Sequence, residues 1–172
     1  DETIYTSQIY SIALGGGMSS RLFQEIREKR GLCYTIFAQG GAYSDTGLLT
    51  IYSGTSADSL KDLSDITISE MKRMAIDFEQ IELDRARVQM KAGLLMGLES
   101  ASARAERLAR MLTIWDRIPT LDEIVKKIDA VDLNDVRHFS DTIISNKKPT
   151  LSTYGPISNG VPFNQIIDSL VA

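Results

Sequence analysis

The run from Leu14 to Gly54 constrains the fold more than any other part of the chain. It opens with three consecutive glycines, continues as a short charged segment that stops at Gly31, and closes with two alternating runs, 32–40 and 47–54. Glycine is unfavourable inside a helix and readily takes positive φ, so the triple glycine and Gly31 both predict helix ends. The alternating runs are rich in β-forming residues and flank the turn 44–47, which predicts a hairpin.

The side chains on either side of the triple glycine predict two helices. Tyr5, Ile9 and Ile12 recur at helical spacing and predict a first helix that ends at the glycines. After the glycines, Ser19 or Ser20 is expected to cap the second helix by accepting a backbone hydrogen bond. The apolar residues of this second helix are expected to be buried and its charged residues to face solvent: buried Leu22, Phe23 and Ile26; exposed Arg21, Glu25, Glu28 and Lys29.

The remainder of the chain is predicted to be helical up to a short final strand. Three long helices are predicted first: Asp58–Met74, Gln80–Leu98 and Ala101–Ile114. The second of these, Gln80–Leu98, carries apolar residues on two faces, and we expect both faces to be covered. Thr120 with Glu123, and Asp132 before the next apolar run, mark the starts of two further helices. Residues 149–154 are predicted to form the last strand.

This order of elements predicts one α+β domain over residues 1–172, with helices packed on one face of a small, mainly antiparallel sheet. Three strands are few for so many helices, because sheets commonly hold about five or six strands. We therefore expect one or more strands to precede Asp1, and we interpret the chain as the C-terminal part of a longer polypeptide.

Composition argues against several classes of function. The chain is 43% hydrophobic and 24% charged, as globular domains usually are. Its net charge is −4 and it has no basic tract, which argues against nucleic-acid binding. No apolar run approaches the roughly 20 residues of a membrane helix, so no membrane partner is expected. Because Cys33 is the only cysteine, we expect a bacterial cytoplasmic location, with the mitochondrial matrix as the alternative.

The residues do not predict a phosphate loop or a self-sufficient hydrolytic centre. The segment 15–20 lacks the Lys-Ser/Thr pair of a Walker loop and follows a helix, so we interpret it as a turn. His138 is the only histidine, whereas a catalytic zinc site usually needs three protein ligands. A thiol dyad of Cys33 with His138 has no local signature in its favour. The chain alone is therefore not expected to hydrolyse a substrate.

Arg27 and Tyr34 are the candidate functional pair. Arg27 lies near the end of the charged helix, Tyr34 opens the first strand, and Gly31 turns the chain between them. Their side chains could therefore point to one side, where a guanidinium and a phenol would donate hydrogen bonds to a peptide carbonyl or a developing oxyanion. The alternative interpretation is that Arg27 complements the negative helix end and Tyr34 packs in the sheet. The residue pattern leaves both interpretations open.

Two segments carry a family resemblance. They are LGGGMSSRLFQEIREKRGLCY, which leads into the hairpin, and LLMGLESASARAERLARML in the helical half. With these segments the chain resembles the insulinase/pitrilysin family of zinc peptidases, and within it the mitochondrial processing peptidase branch and its bacterial relatives. More narrowly, it resembles the C-terminal domain of the family's two-domain unit, which is the domain without zinc. The resemblance extends over essentially the whole chain.

The resemblance implies a division of labour between two halves. The family's zinc-binding half carries a His-x-x-Glu-His motif and a downstream glutamate, and this chain has no such histidine pair. Zinc would therefore be the cofactor of the full-length enzyme, bound by an N-terminal half or a partner subunit. The second domain contributes an arginine and a tyrosine, seven residues apart, that bind substrate and stabilise the transition state. The matching residues here are Arg27 and Tyr34.

These implications define the expected function. The chain would be the substrate-binding, site-completing domain of a zinc metalloendopeptidase that hydrolyses extended peptides, and it would be inactive alone. Its partners would be the enzyme's own zinc-binding domain, peptide substrates and a second subunit of a homo- or heterodimer. The alternatives are a non-catalytic structural subunit of the same fold and a stand-alone peptide-binding module. A His-x-x-Glu-His motif upstream of Asp1 would favour the enzyme.

Overall fold

The computed structural model describes residues 3–43, 45–145, 149–157 and 162–171. The α-helices in these ranges are α1 Ile4–Gly15, α2 Leu60–Ile76, α3 Gln80–Met96, α4 Ala101–Trp115, α5 Leu121–Ala130, α6 Leu133–Ser145 and α7 Phe163–Val171. The strands are β1 Cys33–Ala42 and β2 Gly47–Thr55. A π-helix, Phe23–Glu28, lies between α1 and β1, and a 3₁₀ turn, Ala57–Ser59, precedes α2.

The two strands form the predicted hairpin. β1 and β2 pair antiparallel, in a register that runs from Ala42 opposite Gly47 to Thr35 opposite Gly54. The Tyr43 amide donates a hydrogen bond of 2.9 Å to the Thr46 carbonyl and closes the connection. Ser44, part of the predicted turn, lies outside the described residues. Alternation of buried and exposed residues along β1 shows that one face of the hairpin covers the core and the other faces outward.

The helix α1 is the centre of the core. Ile9, Tyr10 and Leu14 are fully buried in it, because α1 packs against β1 on one side and against α3 and α6 on the others. At its end Gly15 lies so close to β1 that a Cβ there would be 2.4 Å from the backbone nitrogen of Ala38. The triple glycine therefore ends the helix, as predicted, and also allows helix and sheet to touch. The predicted α+β arrangement, with helices on one face of an antiparallel sheet, is confirmed.

The predicted final strand is wrong. Residues 149–154 have no regular structure, and the described part of the chain places no strand beside them. An extended run becomes a strand only when a neighbour satisfies its backbone groups, and an alternating pattern does not reveal whether that neighbour exists. The sequence also missed α7, which lies against α2 and α6.

The remaining sequence predictions concern the caps of the helices and the burial of their faces. Thr120 accepts a hydrogen bond from the Glu123 amide at 3.2 Å, and Asp132 accepts one from the Asp135 amide at 2.9 Å, so both predicted helix starts are confirmed. The expected serine cap is not formed, because the Ser20 hydroxyl donates to the Gly17 carbonyl at 2.6 Å instead. The double coverage expected for α3 is also wrong. The face with Leu83, Met90 and Leu94 packs in or against the core, but the face with Ile81, Val88 and Leu95 is exposed in the described chain.

Candidate functional site

Arg27 lies on a widened helical turn. The segment Phe23–Glu28 is a π-helix, in which the Lys29 amide reaches back five residues to the Gln24 carbonyl at 3.0 Å. The Arg27 guanidinium carbon lies 4.7 Å from the ring centroid of Phe23 and 5.5 Å from that of Tyr34. These are cation–π distances, so the two rings hold the guanidinium in place. Single π-helical turns are rare in proteins overall, but those that occur are often at functional sites.

Tyr34 lies on a second irregularity, a β-bulge. Cys33 faces Thr55 and Thr35 faces Gly54, so Tyr34 is an extra residue between two consecutive partners. Cys33 and Ile36 are both buried, although in a regular strand they would point to opposite faces. The bulge thus turns Tyr34 outward, and its side chain is 83% exposed. Bulges are common beside active sites because they redirect a side chain in this way.

Gly31 ends the helical segment and turns the chain between Arg27 and Tyr34, as the sequence predicts. Its φ is +62°, and its amide donates to the Arg27 carbonyl at 3.0 Å. This bond is that of an αL helix end, and the Leu32 amide adds a longer-range hydrogen bond of 3.0 Å to the Ile26 carbonyl. The turn brings Tyr34 back beside Arg27, and the two sequence-predicted residues are in contact.

The pair presents unused hydrogen-bond donors. In the described part of the chain, neither the Arg27 guanidinium nor the Tyr34 hydroxyl has a hydrogen bond or an ion pair. The contacts that the structure shows are those of the Arg27 guanidinium with the rings of Phe23 and Tyr34. A guanidinium carries five N–H donors and a phenol one O–H donor. The arrangement can therefore bind a carbonyl oxygen or a carboxylate that approaches from the outer side of the hairpin. The alternative interpretation, in which Tyr34 packs in the sheet, calls for a buried ring, whereas Tyr34 is 83% exposed.

The sequence did not predict the ion pairs of Arg21, the residue that begins the helical segment carrying Arg27. Arg21 was expected to face solvent, but its side chain is only 9% exposed. Its guanidinium donates to both carboxylate oxygens of Glu82 at 2.7 Å each, and to an oxygen of Asp77 at 2.6 Å. Glu70, itself buried, lies 3.9 Å away. These partners are 49 to 61 residues distant in sequence, so no local sequence pattern predicts them.

The cluster around Arg21 sets the local electrostatics. Burial raises the pKa of Glu82 and is the largest single effect, but the hydrogen bonds from Arg21 and the Glu79 amide, together with the nearby positive charges, lower the pKa overall. The pKa of Asp77 is lowered in the same way, because hydrogen bonds from Arg21 and Arg73 outweigh its burial. A cleft of about 530 Å³ lies beside the cluster and is lined mainly by charged side chains. Both carboxylates therefore keep their negative charge to a lower pH than free carboxyl side chains do.

The described residues do not fit a zinc site. In ranges 3–43, 45–145, 149–157 and 162–171, no three His, Cys, Asp or Glu side chains are grouped so that they could hold a metal ion. His138 is exposed on α6, and Cys33 is buried in β1. No hydrogen bond joins the two in the described structure, which therefore does not support the dyad left open by the sequence. No helix among the described residues is long and apolar enough to cross a membrane.

Comparison with known proteins identifies the class. The family profile described as "Peptidase M16 inactive domain" matches residues 1–90, and the chain belongs to this peptidase family. It is 39% identical over 138 residues to an uncharacterized zinc protease of Bacillus subtilis, covering 78% of this chain and 33% of that protein. It is 30% identical over 160 residues to the mitochondrial-processing peptidase subunit beta of Mus musculus, covering 92% of this chain and 32% of that protein.

A solved structure confirms the fold independently. A chain of the complex III2 from Candida albicans superposes with a TM-score of 0.86 at 19% identity, covering 99% of this chain and 43% of that one. The family profile and the two curated relatives confirm the resemblance to a metallopeptidase family with processing peptidase relatives. The chain spans about a third of the length of the two curated relatives, at 33% and 32%.

Proposed function

We propose that this chain completes the active site of a zinc metalloendopeptidase from the side opposite the metal. Arg27 and Tyr34 would bind the scissile peptide and stabilise the oxyanion that develops on its carbonyl oxygen. The observation that carries the proposal is the meeting of a π-helix and a β-bulge at this one pair. Two irregularities that each expose a donor are hard to explain by packing, and the zinc protease relatives supply the reaction class.

The two side chains have distinct parts in this proposal. The Arg27 guanidinium is fixed between the rings of Phe23 and Tyr34, so little side-chain freedom is lost when it donates to a peptide oxygen. The Tyr34 hydroxyl supplies a second donor from the strand side. Donors that are already oriented when charge develops stabilise a transition state more than donors that must first be ordered.

Zinc, in this proposal, is held outside this chain. The described residues offer no suitable donor set, so an N-terminal half of the same polypeptide or a partner subunit would provide both metal and its ligands. We further propose that residues 1–172 form one domain, the C-terminal half of a two-domain unit, and that a dimer is possible between such units. The location proposed is the bacterial cytoplasm, since the zinc protease relative is bacterial.

Extended peptides are the proposed substrates. Each strand of the described hairpin has one edge without a partner, to which a peptide backbone could add as a further strand. The outer face beside it carries the ring pair of Phe37 and Tyr52, stacked with centroids 5.2 Å apart. Both rings are partly exposed, at 37% and 53%, and could contact apolar side chains of the peptide.

The proposal is tested in the full-length protein by replacing Arg27. We expect Arg27→Ala to lower kcat/KM on the order of 10²-fold without changing zinc content, because one transition-state donor is removed. Arg30→Ala is the matched control, since Arg30 lies on the same turn but pairs with Glu25 at 2.7 Å. Activity would be measured on the internally quenched peptide that the wild-type protein cleaves fastest from a random library.

Three outcomes count against the proposal. A wild-type kcat/KM for Arg27→Ala removes the residue from the site. An equal loss in Arg30→Ala shows that any charge on this turn matters, and that no specific donor does. A full-length protein that retains no zinc and cleaves no library peptide favours the non-catalytic structural subunit.

A further inference from the structure

Arg21 lies in the helical turn directly before the π-helix that carries Arg27, and its side chain is 9% exposed. With Glu82 it forms a two-pronged pair, in which its Nε and one Nη each donate to a different carboxylate oxygen at 2.7 Å. Its other Nη donates to Asp77 Oδ1 at 2.6 Å. A planar guanidinium held by four hydrogen bonds, including one to the Asp77 carbonyl at 3.1 Å, has one orientation available.

The partners of Arg21 belong to two other helices. Asp77 is the C-cap of α2, and Glu82 lies in the first turn of α3. The Glu82 carboxylate also accepts a hydrogen bond from the Glu79 amide at 3.0 Å, within the capping box of α3. Arg21 therefore links the start of the helical segment that carries Arg27 to the junction of α2 and α3, where Asp77 and Glu82 are themselves held in place.

The rest of this helical segment is held by the core. Leu22 and Ile26 are fully buried, and they leave Phe23 and Arg27 partly exposed on the other side. Arg21 and Arg27 are six residues apart, so a tilt or slide at the Arg21 end would displace the Arg27 guanidinium. Misplacement of a reacting group by about 1 Å from a distant mutation can reduce a rate by about 10²-fold.

We propose that Arg21 is a positioning residue, whose pairs with Asp77 and Glu82 hold the π-helix so that Arg27 is aligned on the peptide. This inference rests on the proposed function of Arg27 and Tyr34. It assigns the pairs of Arg21 with Asp77 and Glu82 a role in turnover beyond stability, and it predicts that Lys cannot replace Arg21. A lysine ammonium keeps the charge but cannot make the two-pronged contact with Glu82.

The test uses the full-length protein and separates turnover from folding. Arg21→Lys and the milder Glu82→Gln are compared with Arg73→Ala. Arg73 is a matched control because it pairs with Glu70 and Asp77 in the same cluster, but lies on α2 with its side chain 49% exposed. All variants are assayed on the quenched library peptide at a temperature at which circular dichroism shows them folded, with zinc content measured for each.

We expect Arg21→Lys to lower kcat about ten-fold or more with KM nearly unchanged, because alignment in the transition state is lost. Glu82→Gln should give a smaller loss in the same direction, and Arg73→Ala should keep wild-type kcat. In the double variant Arg27→Ala/Tyr34→Phe, Arg21→Lys should cause no further loss, because residues that act through one another are not additive.

Two results overturn the inference alone. One is a wild-type kcat for both Arg21→Lys and Glu82→Gln beside a strongly impaired Arg27→Ala. The other is a loss from Arg21→Lys that persists undiminished in the Arg27→Ala/Tyr34→Phe background, which would mean a general structural effect. Wild-type activity of the Arg27→Ala/Tyr34→Phe protein itself overturns the proposed function, and the inference with it.

Discussion

At the scale of single residues, Gly31 holds the one backbone conformation on which the pair depends. Its φ is +62°, and a Cβ added there would meet nothing within 4 Å, so a substitution acts through the backbone alone. We expect Gly31→Ala to lower the free energy of unfolding by about 1–2 kcal/mol, the usual cost of a left-handed L-residue. Gly31→Asn should cost less, because Asn tolerates this region. Urea denaturation measures both, and equal stability of Gly31→Ala and wild type would contradict the account.

The same residues show how far sequence reasoning reaches. Arg27, Gly31 and Tyr34 lie within eight positions, so a helix stop between them indicated that the two side chains could point to one side, although the residue pattern also allowed separate packing roles. Neither the π-turn at Arg27 nor the bulge at Tyr34 was predicted, because each depends on how the segment meets the core. Arg21 was predicted wrongly for a related reason. An arginine in a charged helix is usually solvated, and its acidic partners come from a distant helix junction.

At the scale of elements, the contact between α1 and β1 depends on Gly15. A Cβ at Gly15 would lie 2.4 Å from the Ala38 nitrogen and 2.7 Å from its Cβ. We expect Gly15→Ala to destabilise the protein by about 1–3 kcal/mol through overpacking. Gly93→Ala is the control, since Gly93 is also helical but open on all sides, and it should stabilise by about 0.5–1 kcal/mol. Thermal unfolding would contradict this if both variants shifted alike.

The ion cluster that joins the π-helix to α2 and α3 makes stability depend on pH. The pKa values of Asp77 and Glu82 are lowered by folding, so their contribution is present above the ordinary carboxyl pKa of about 4 and is lost as the pH falls below it. We expect the free energy of unfolding to fall from pH 5 to pH 3, and to fall less steeply in Arg21→Met. Lys61→Met, which breaks an exposed pair with Asp65, is the control and should keep the wild-type slope.

Elements were predictable where local pattern decides and unpredictable where a neighbour decides. The hairpin and the long helices follow from alternation, helical spacing and capping residues such as Thr120 and Asp132. The strand expected at 149–154 did not form, since a strand also needs a partner edge. The α3 face with Ile81, Val88 and Leu95 is exposed in the described chain. Sequence spacing shows that a helix face is apolar, but it does not show whether another element covers that face.

At the scale of the whole molecule, the chain corresponds to about a third of its curated relatives, and its site is open on one side. The account places the metal outside these residues. We therefore expect this chain to retain well under one zinc per chain after dialysis, because its described side chains offer no donor cluster. Circular dichroism would first verify that the chain is folded. Metal analysis by mass spectrometry then measures the zinc content. One tightly held zinc per chain would contradict the division of the site between two halves.

The central claim is that the Arg27–Tyr34 pair stabilises the transition state of peptide hydrolysis. The most direct measurement is kcat/KM of Tyr34→Phe in the full-length protein, because this change removes a single hydroxyl from a side chain that is 83% exposed. Tyr43→Phe is the control, a phenol 65% exposed directly after the far end of β1, about 30 Å away at the usual strand rise. We predict a loss on the order of 10²-fold for Tyr34→Phe, with zinc content and unfolding temperature unchanged, and no loss for Tyr43→Phe. A Tyr34→Phe protein with wild-type kcat/KM would contradict the account.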